Sequence, residues 1–349
     1  MLQVNGAEKS GSGTIVRNAA AIAALLGEEL HLFNIRKKRE SPGLRPQHLK
    51  ALSALAQLCR GRVEGGAVGS REVWFKPGSH PVGGEYKWDI GTAGSTTMLA
   101  MTLIPAAIFA PEPVRFRVSG GLFQDYAPST FHMKHVFFPT LGEMGVRADL
   151  RLLRPGYVPR GGGTIEVWVF PVDGALHPLR REKQRQGVKL QGIALSSHLR
   201  ERLVSHRMAE RCQRVLASQG YSAEIQLSYD NSALQPGAAL ALWARTDSGY
   251  LLGADRAGVP GRPSEEIGTF VAHQLLEDLE SGATVDRYLA DQLVLYAALA
   301  RGTSRYRMPM VTEHLDTNLW LVTSLLGARV SLEGHTVTIE GIGYERRRD

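Results

Sequence analysis

The residues best suited to bind phosphate lie together between residues 35 and 49, in the segment IRKKRESPGLRPQHL. Arg36, Lys37, Lys38, Arg39 and Arg45 crowd this loop, which a Pro-Gly turn bends just before a predicted helix. Arginine forks match phosphate oxygens, and backbone N–H groups at a helix start add to the attraction. The segment is compatible with a phosphate site, although its pattern alone favours a solvated basic loop.

Three glycine-rich stretches fall at the ends of predicted elements, where the backbone can approach an anion. They are residues 11–13, 91–95 and 161–163. Turn geometry alone also explains each of them. The sequence has no GxxxxGK[ST], no HExxH and no complete GxGxxG between a strand and a helix, so a nucleotide would have to bind in another way.

Among the eleven histidines, His314 lies in the segment MVTEHLDTN, at the junction between a predicted strand near 306–311 and a predicted helix. Side chains at such a junction face a crevice, but the pattern alone favours a structural histidine. His132 and His135 lie three residues apart on a predicted helix, and no carboxylate or cysteine is spaced to complete a metal site with them. Metal ligands therefore stay unassigned.

The bulk composition is that of a globular protein with a basic balance. Lys and Arg number 41 against 34 Asp and Glu, a formal net charge of +7, which favours a polyanionic partner. No apolar run reaches the roughly 18 residues of a membrane span, and the first residues lack a signal-peptide pattern. We therefore expect a cytoplasmic protein without a membrane partner. Cys59 and Cys212 are expected to be reduced core thiols.

The alternation of predicted strands and helices repeats along the chain, which indicates internal duplication. A βαβαββ order spans about residues 1–87, with a helix capped by Ser12 or Thr14 and ended by Gly27, and a second helix starting near Arg45-Pro46. The same order recurs in the next 90 or so residues. A third unit is predicted at the C-terminus, with its opening strand missing.

Residues 183–281 break the pattern, with their own strands and two long helices. We therefore predict an α/β (α+β) fold of three repeated βαβαββ units with a smaller inserted α/β domain. The body comprises residues 1–182 plus 282–349, and the insert comprises residues 183–281.

Six segments in order resemble the RNA 3′-terminal phosphate cyclase family. They are IR..R..PGL..QHL at 35–49, GTAGS at 91–95, SGG followed by AP at 119–128, GYVPRGGG at 156–163, YLADQLVL at 288–295 and VTEHLDTN at 311–318. Six ordered blocks are far more specific than any one motif, and the insert is poorly matched. The resemblance implies three translation-initiation-factor-like units plus an insert, in agreement with the repeats.

The resemblance further implies an ATP-dependent reaction in which a histidine takes AMP from ATP and passes it to an RNA 3′-phosphate. The 2′-hydroxyl then closes a 2′,3′-cyclic phosphate and expels AMP. His314 occupies the nucleophile position, and a neutral imidazole is suited to that role. A divalent ion, Mg or Mn, is expected to offset charge on the leaving pyrophosphate.

The family's other site residues map onto named positions here. The implied ATP-binding residues are Tyr288, Leu289, Ala290, Asp291, Gln292 and Met101. The implied phosphate-binding residues are Arg17, Arg36, Arg39 and Gln47. His48, beside Gln47, is interpreted as structural.

Three departures from the family pattern bear on selectivity. The usual EGGGQ before the first helix is Ser10-Gly11-Ser12-Gly13-Thr14 here, so a carboxylate near the metal is missing and Glu8 is the nearest candidate. Met101 stands where Gln is common, and Leu122 stands where Thr is common. Two alternatives remain open: a non-catalytic ribosome-assembly or RNA-binding relative, and an enzyme that adenylylates a different nucleic-acid phosphate end. The retained His314 argues against the first.

Overall fold

The computed structural model describes residues 1–184 and 187–346. The first part of the chain folds into a βαβαββ unit. The elements of the unit are β1 (Leu2–Asn5), α1 (Gly13–Leu26), β2 (Leu30–Phe33), α2 (Pro46–Leu58), β3 (Arg62–Glu64) and β4 (Val73–Lys76). The strands lie in the order β1-β2-β4-β3, with β1 and β2 parallel and the other pairs antiparallel. Ser12 caps α1 by accepting from the Thr14 N–H, and Gly27 ends it at φ 67°, as predicted.

The second unit repeats this order. Its elements are β5 (Gly84–Asp89), α3 (Thr96–Ala107), β6 (Val114–Gly120), α4 (Thr130–His132), a π-helical turn (Met133–Phe137), α5 (Phe138–Glu143), β7 (Arg147–Arg154) and β8 (Gly163–Phe170). The strand order is β5-β6-β8-β7. Ser95 caps α3 by accepting from the Met98 N–H, and the predicted second helix of the unit is divided by the π-helical turn.

A short strand, β9 (Arg180–Arg181), precedes a separate sheet with two long helices. The elements of this part are β10 (Val188–Ser197), α6 (Val204–Ser218), β11 (Ala223–Tyr229), β12 (Gly237–Thr246), β13 (Leu251–Ala257) and α7 (Ser264–Glu280). Its strands lie in the order β11-β10-β12-β13. Both helices pack on the sheet through a cluster of their own, which includes Met208, Leu240 and Leu275.

The third unit resumes after α7. It contains α8 (Leu289–Gln292), α9 (Val294–Leu299), β14 (Arg301–Arg307), α10 (Glu313–Leu326), β15 (Arg329–Glu333) and β16 (Thr336–Ile342). Its sheet has the order β15-β16-β14-β9, and β9 pairs parallel to β14. Three sheets with the same order confirm the predicted repeated fold. The exact body and insert boundaries stay a prediction, and residues 347–349 of the predicted body lie outside the described residues.

Two expectations for the third unit were wrong. Its opening strand is present as β9, but it lies before the insert and is only two residues long, too short to show a period in sequence. The strand expected near 306–311 is β14, which ends at Arg307 opposite Thr336. Pro309 follows closely and has no N–H for a strand ladder.

Helix α1 packs against α2, α3 and α10. The Asn18 Nδ2 atom donates to Asn318 Oδ1 at 2.7 Å, and Ser10 N–H donates to Thr317 Oγ1 at 3.2 Å. These bonds hold the beginnings of α1 and α10 side by side. Cys59 and Cys212 are buried free thiols, as predicted, and the Cys59 Sγ atom donates to the Leu55 carbonyl at 2.9 Å. Within residues 1–184 and 187–346, no helix combines the length and apolar character needed to cross a membrane.

Candidate active site

His314 lies in the first turn of α10, directly against the start of α1. Thr312 caps α10 by accepting from the Leu315 N–H at 3.0 Å. The Nδ1 atom of His314 is 3.4 Å from both Ser12 Oγ and Thr14 Oγ1. Because those hydroxyls occupy the Nδ1 side, the Nε2 side of the exposed imidazole is left for another reactant.

The surroundings of His314 favour its neutral form. Desolvation lowers the pKa of His314, and the positive charges of Arg17 and Arg39 lower it further. Glu313 acts weakly in the opposite direction. A neutral imidazole at neutral pH retains the lone pair that a nucleophile requires.

Two connected chambers meet at His314. The first, a basic chamber of about 510 Å³, opens widely to solvent, and the second, a more enclosed chamber, has a volume of about 220 Å³. Residues that line both are Thr14, Arg17, Met98, Gln124, Asp125, Tyr126, Ala127 and His314. A ligand group attached to His314 is therefore accessible from both sides.

Four helices begin at the basic chamber. Its wall includes Ser12 and Gly13 at the start of α1, Gln47 in the first turn of α2, Ser95 before α3, and His314 in α10. The helix dipole and the unpaired N–H groups make each helix start attractive to anions. Convergence of four such ends, together with nearby arginines, gives this chamber a positive electrostatic character that favours anions.

The basic loop supplies those arginines. Arg36 Nη1 donates to the Ser41 and Gly43 carbonyls at 2.6 and 2.9 Å, and Arg39 Nη2 donates to the Ser10 carbonyl at 3.1 Å. Desolvation, Arg45 and Arg39 lower the pKa of Arg36. These bonds fix the guanidinium groups of Arg36 and Arg39 at the chamber wall, and the N–H donors that are not used in them stay available to a ligand.

Two further predicted phosphate residues connect parts of this wall. Arg17 lines both chambers, and its Nη2 atom donates to Thr14 Oγ1 at 3.1 Å. Burial lowers the pKa of Arg17 to about 10, against the opposing effect of Asp291, so it stays charged at neutral pH. Gln47 Oε1 accepts from the Ser95 N–H at 3.1 Å and ties α2 to the second glycine-rich turn.

His48 is a buried residue in the wall of the basic chamber, against the first glycine-rich turn. Its Nδ1 atom accepts from the Arg45 N–H at 3.2 Å. A Cβ atom at Gly13 would lie 2.1 Å from His48 Nε2, so the close approach requires glycine. Burial and the charges of Arg17, Arg36 and Arg45 lower the pKa of His48 to about 3.

Lys37 and Lys38 of the basic loop line neither chamber.

The enclosed chamber contains most of the predicted ATP-binding positions. Met101, Tyr288, Asp291 and Gln292 line it. Leu289 and Ala290 are buried and line neither chamber, and the Ala290 carbonyl accepts from Tyr306. Burial, together with Asp286, raises the pKa of Asp291 to about 7 against the effect of Arg17.

Several wall residues were missed by sequence reasoning. Gln124, Asp125 and Tyr126 lie between the SGG and the AP of the quoted segment at 119–128, yet their residue types gave no signal. Arg256 and Phe270 come from the inserted part and reach the enclosed chamber. No local pattern points to them, because their approach depends on how the insert packs.

The two helical histidines have separate environments. His132 Nε2 lies 3.0 Å from Asp286 Oδ2 in the interior, whereas His135 stacks on Trp243 with ring centres 4.1 Å apart. Glu8, considered as a substitute carboxylate, is exposed, accepts from Asn5 and lines neither chamber. Within the described part of the chain, no group of three His, Cys, Asp or Glu residues is arranged to hold a metal ion.

The fold and site together define an α+β protein built on repeated βαβαββ units, with a histidine between the basic chamber and the enclosed one. Residues 8–332 match the family model described as RNA 3′-terminal phosphate cyclase. Similar proteins carrying that name include one from Pyrobaculum neutrophilum, 37% identical over 98% of this chain and 99% of that protein. Another, from Korarchaeum cryptofilum, is 35% identical over 99% of each chain.

The chain therefore belongs to the RNA 3′-terminal phosphate cyclase family. It is an enzyme of this family, which falls in the ligase class and uses ATP as co-substrate.

Proposed function

We propose that this protein converts RNA 3′-phosphate ends to 2′,3′-cyclic phosphates, using ATP and a covalent His314–AMP intermediate. The observation that carries the proposal is the position of His314 in the wall shared by the two chambers. A nucleotide in one chamber and an RNA end in the other would each reach the same imidazole. We propose the cytoplasm as its location.

In the first step the Nε2 lone pair attacks the α-phosphorus of ATP. A P–N bond forms, the bond from the α-phosphorus to the bridging oxygen breaks, and pyrophosphate leaves with the electron pair. Nδ1–H, donating to the Ser12 and Thr14 hydroxyls, orients the ring and stabilises the positive charge that develops on it. The base and ribose occupy the enclosed chamber beside Tyr288 and Met101.

Pyrophosphate departure needs compensation of negative charge. Arg17, Arg36 and Arg39 supply it, together with the helix starts around the basic chamber. Arg17 is central because it lines both chambers beside His314. It would therefore contact the α-phosphate both before and after the transfer to the histidine.

In the second step an oxygen of the RNA 3′-phosphate attacks the same phosphorus, and the P–N bond breaks to restore His314. The 2′-hydroxyl oxygen then attacks the RNA phosphorus. Its proton passes to solvent, the bond from the RNA phosphorus to the bridging oxygen breaks, AMP leaves with the electron pair, and the cyclic ester remains. Proximity of the 2′-hydroxyl to the activated phosphate makes this closure intramolecular.

A divalent ion, Mg or Mn, is proposed to enter with ATP as part of the substrate. The described residues do not fit a resident metal centre, because they contain no three-ligand cluster and Glu8 lies outside both chambers. Mg²⁺ commonly binds through phosphates, waters and one or two carboxylates.

The test is incubation with ATP labelled at the α-phosphate and a divalent ion. We expect an acid-labile, alkali-stable protein–AMP adduct in the wild type, no adduct in His314→Ala, and a normal adduct in His335→Ala, an exposed histidine that lines neither chamber. Equal labelling of His314→Ala would overturn the mechanism.

The second half of the test identifies the acceptor. RNA ending in a 3′-phosphate is expected to discharge the label and yield a cyclic end. Discharge only by a 5′-phosphate or by a DNA 3′-phosphate would replace the cyclase proposal with the alternative of another nucleic-acid end. Absence of any adduct in the wild type would favour the non-catalytic alternative.

A further inference from the structure

Tyr126 is an aromatic residue that combines a strained backbone conformation with a side chain that contributes nothing to the core. Its side chain is fully exposed, with a relative accessibility of 102%, and its backbone has φ of 66°. A tyrosine rarely adopts this left-handed conformation, because its Cβ is crowded there. The ring packs into no core, so the conformation brings no compensating burial. Strained residues of this kind concentrate at ligand-binding sites.

The loop that holds Tyr126 is anchored by the inserted part. Asp125 accepts from Arg262 Nη1 and Nη2 at 3.1 and 2.8 Å, and Arg256 Nε lies 3.5 Å away. On the other side of Tyr126, the Ser129 N–H donates to Asp255 Oδ2 at 2.7 Å. The two anchors flank the tyrosine and hold it in place.

The position of Tyr126 relative to the chambers indicates what it contacts. It lines both chambers next to His314, yet its full exposure places the ring at their common mouth instead of inside the enclosed chamber. The enclosed chamber has other aromatic residues in its wall, among them Phe270, Tyr288 and Tyr296. A ring at the mouth faces a group that arrives from solvent.

We propose that Tyr126 stacks on the nucleobase of the RNA 3′-terminal nucleotide, whatever that base is; this rests on the proposed function above. When the 3′-phosphate lies in the basic chamber beside His314, the base is one ribose away and reaches the mouth. Every nucleobase has a π-face, so stacking on an aromatic side chain tolerates any sequence. Tyr126 is thus a binding residue for the RNA end and makes no contact with ATP.

The experiment compares Tyr126→Asn with Tyr126→Phe. Asparagine tolerates a positive φ but cannot stack as a phenol ring does, whereas phenylalanine retains the ring. For an oligoribonucleotide with a 3′-phosphate, we expect KM to rise roughly 5- to 100-fold in Tyr126→Asn and to stay near the wild-type value in Tyr126→Phe. The KM for ATP in His314 adenylylation should be unchanged in both.

An oligoribonucleotide with an abasic 3′-terminal residue provides a second measurement. The wild type should lose affinity for it, while Tyr126→Asn should treat the abasic and normal ends alike. Tyr229→Ala, an aromatic substitution on β11 that borders neither chamber, is the matched control and should behave as the wild type does.

Two results would overturn the proposal while leaving the proposed function intact. One is an unchanged KM for RNA in Tyr126→Asn with normal adenylylation. The other is a raised KM for ATP in the adenylylation step, which would assign the ring to the nucleotide. Failure of the wild type to form any adduct would instead reject the proposed function itself.

Discussion

The His314 Nδ1 atom lies 3.4 Å from the hydroxyl oxygen of Thr14, a residue 300 positions earlier in the chain. The contact joins the first turn of α10 to the first turn of α1 and so couples the first and third repeated units. It leaves Nε2 on the side of the chambers, where the proposed attack on phosphorus would require an in-line approach.

Replacement of Thr14 by valine should slow adenylylation. Valine retains the shape but removes the hydroxyl near Nδ1 and the acceptor for Arg17. We expect a rate loss of roughly 5- to 10-fold, the effect of about one hydrogen bond, with little change in melting temperature. Rapid-quench measurement of the protein–AMP adduct tests this, and an unaltered rate would show that Thr14 does not orient the imidazole.

Ser12→Ala is the informative comparison for Thr14→Val. Ser12 also approaches Nδ1, but its hydroxyl caps α1. We therefore expect a similar rate loss together with about 1 kcal/mol of lost folding stability, measured by urea denaturation.

The pH profile of adenylylation should reflect the lowered pKa of His314. Since the reactive form is neutral, the rate rises with pH through that lowered pKa and reaches its plateau at a lower pH than an ordinary histidine would give. Arg39→Gln removes one of the positive charges that lower the pKa. Its acidic limb should move to higher pH, along with a rate loss of roughly 10- to 100-fold from the missing phosphate contact. If the acidic part of the pH–rate profile did not move in Arg39→Gln, the charge of Arg39 would not be a cause of the lowered pKa of His314.

Gly13→Ala should destabilise the protein and impair the site. The added Cβ would lie 2.1 Å from His48 Nε2, which forces the helix start or the buried imidazole to shift. A loss of about 1–3 kcal/mol is typical of such overpacking. Gly142→Ala is the control, because its Cβ meets nothing within 4 Å in α5; it should be neutral or slightly stabilising. Equal effects of the two substitutions would rule out the His48 contact as the cause.

Met101→Gln should increase discrimination between nucleotides. Met101 and Met98 present thioethers to the enclosed chamber, where a glutamine amide would hydrogen-bond a base edge. We expect the ratio of kcat/KM for ATP to that for GTP to rise roughly 2- to 10-fold, measured by adenylylation with each nucleotide. Met101→Leu, which adds no polar group, should leave the ratio unchanged.

Local sequence signals predicted the repeated fold well where elements are long or strongly capped. Ser12 and Gly27 mark the ends of a predicted helix that the structure reproduces. The strand β9 escaped detection because two residues have no measurable period, and its pairing with β14 crosses the whole insert. The division of residues 130–143 by a π-helical turn likewise left no mark in the hydrophobic pattern.

For the site, the family resemblance carried by the ordered segments identified His314, Arg17, Arg36, Arg39 and Gln47, all of which line a chamber. Their roles in ATP and phosphate binding stay predictions. The sequence did not predict the role of Tyr126 or the ion pair that anchors its loop. That ion pair joins Asp125 to Arg262, which lie 137 positions apart. Nothing local distinguishes such residues from an ordinary loop.

The sequence by itself determined the family, the repeated βαβαββ order and the identity of the candidate nucleophile, because helix caps and ordered motifs are local and additive signals. Only the tertiary structure decided that four helix starts converge on one basic chamber and that His314 stands between it and an enclosed chamber. That convergence depends on packing between helices such as α1 and α10, whose contacts join residues about 300 positions apart. No single segment can encode a contact made by two segments so distant.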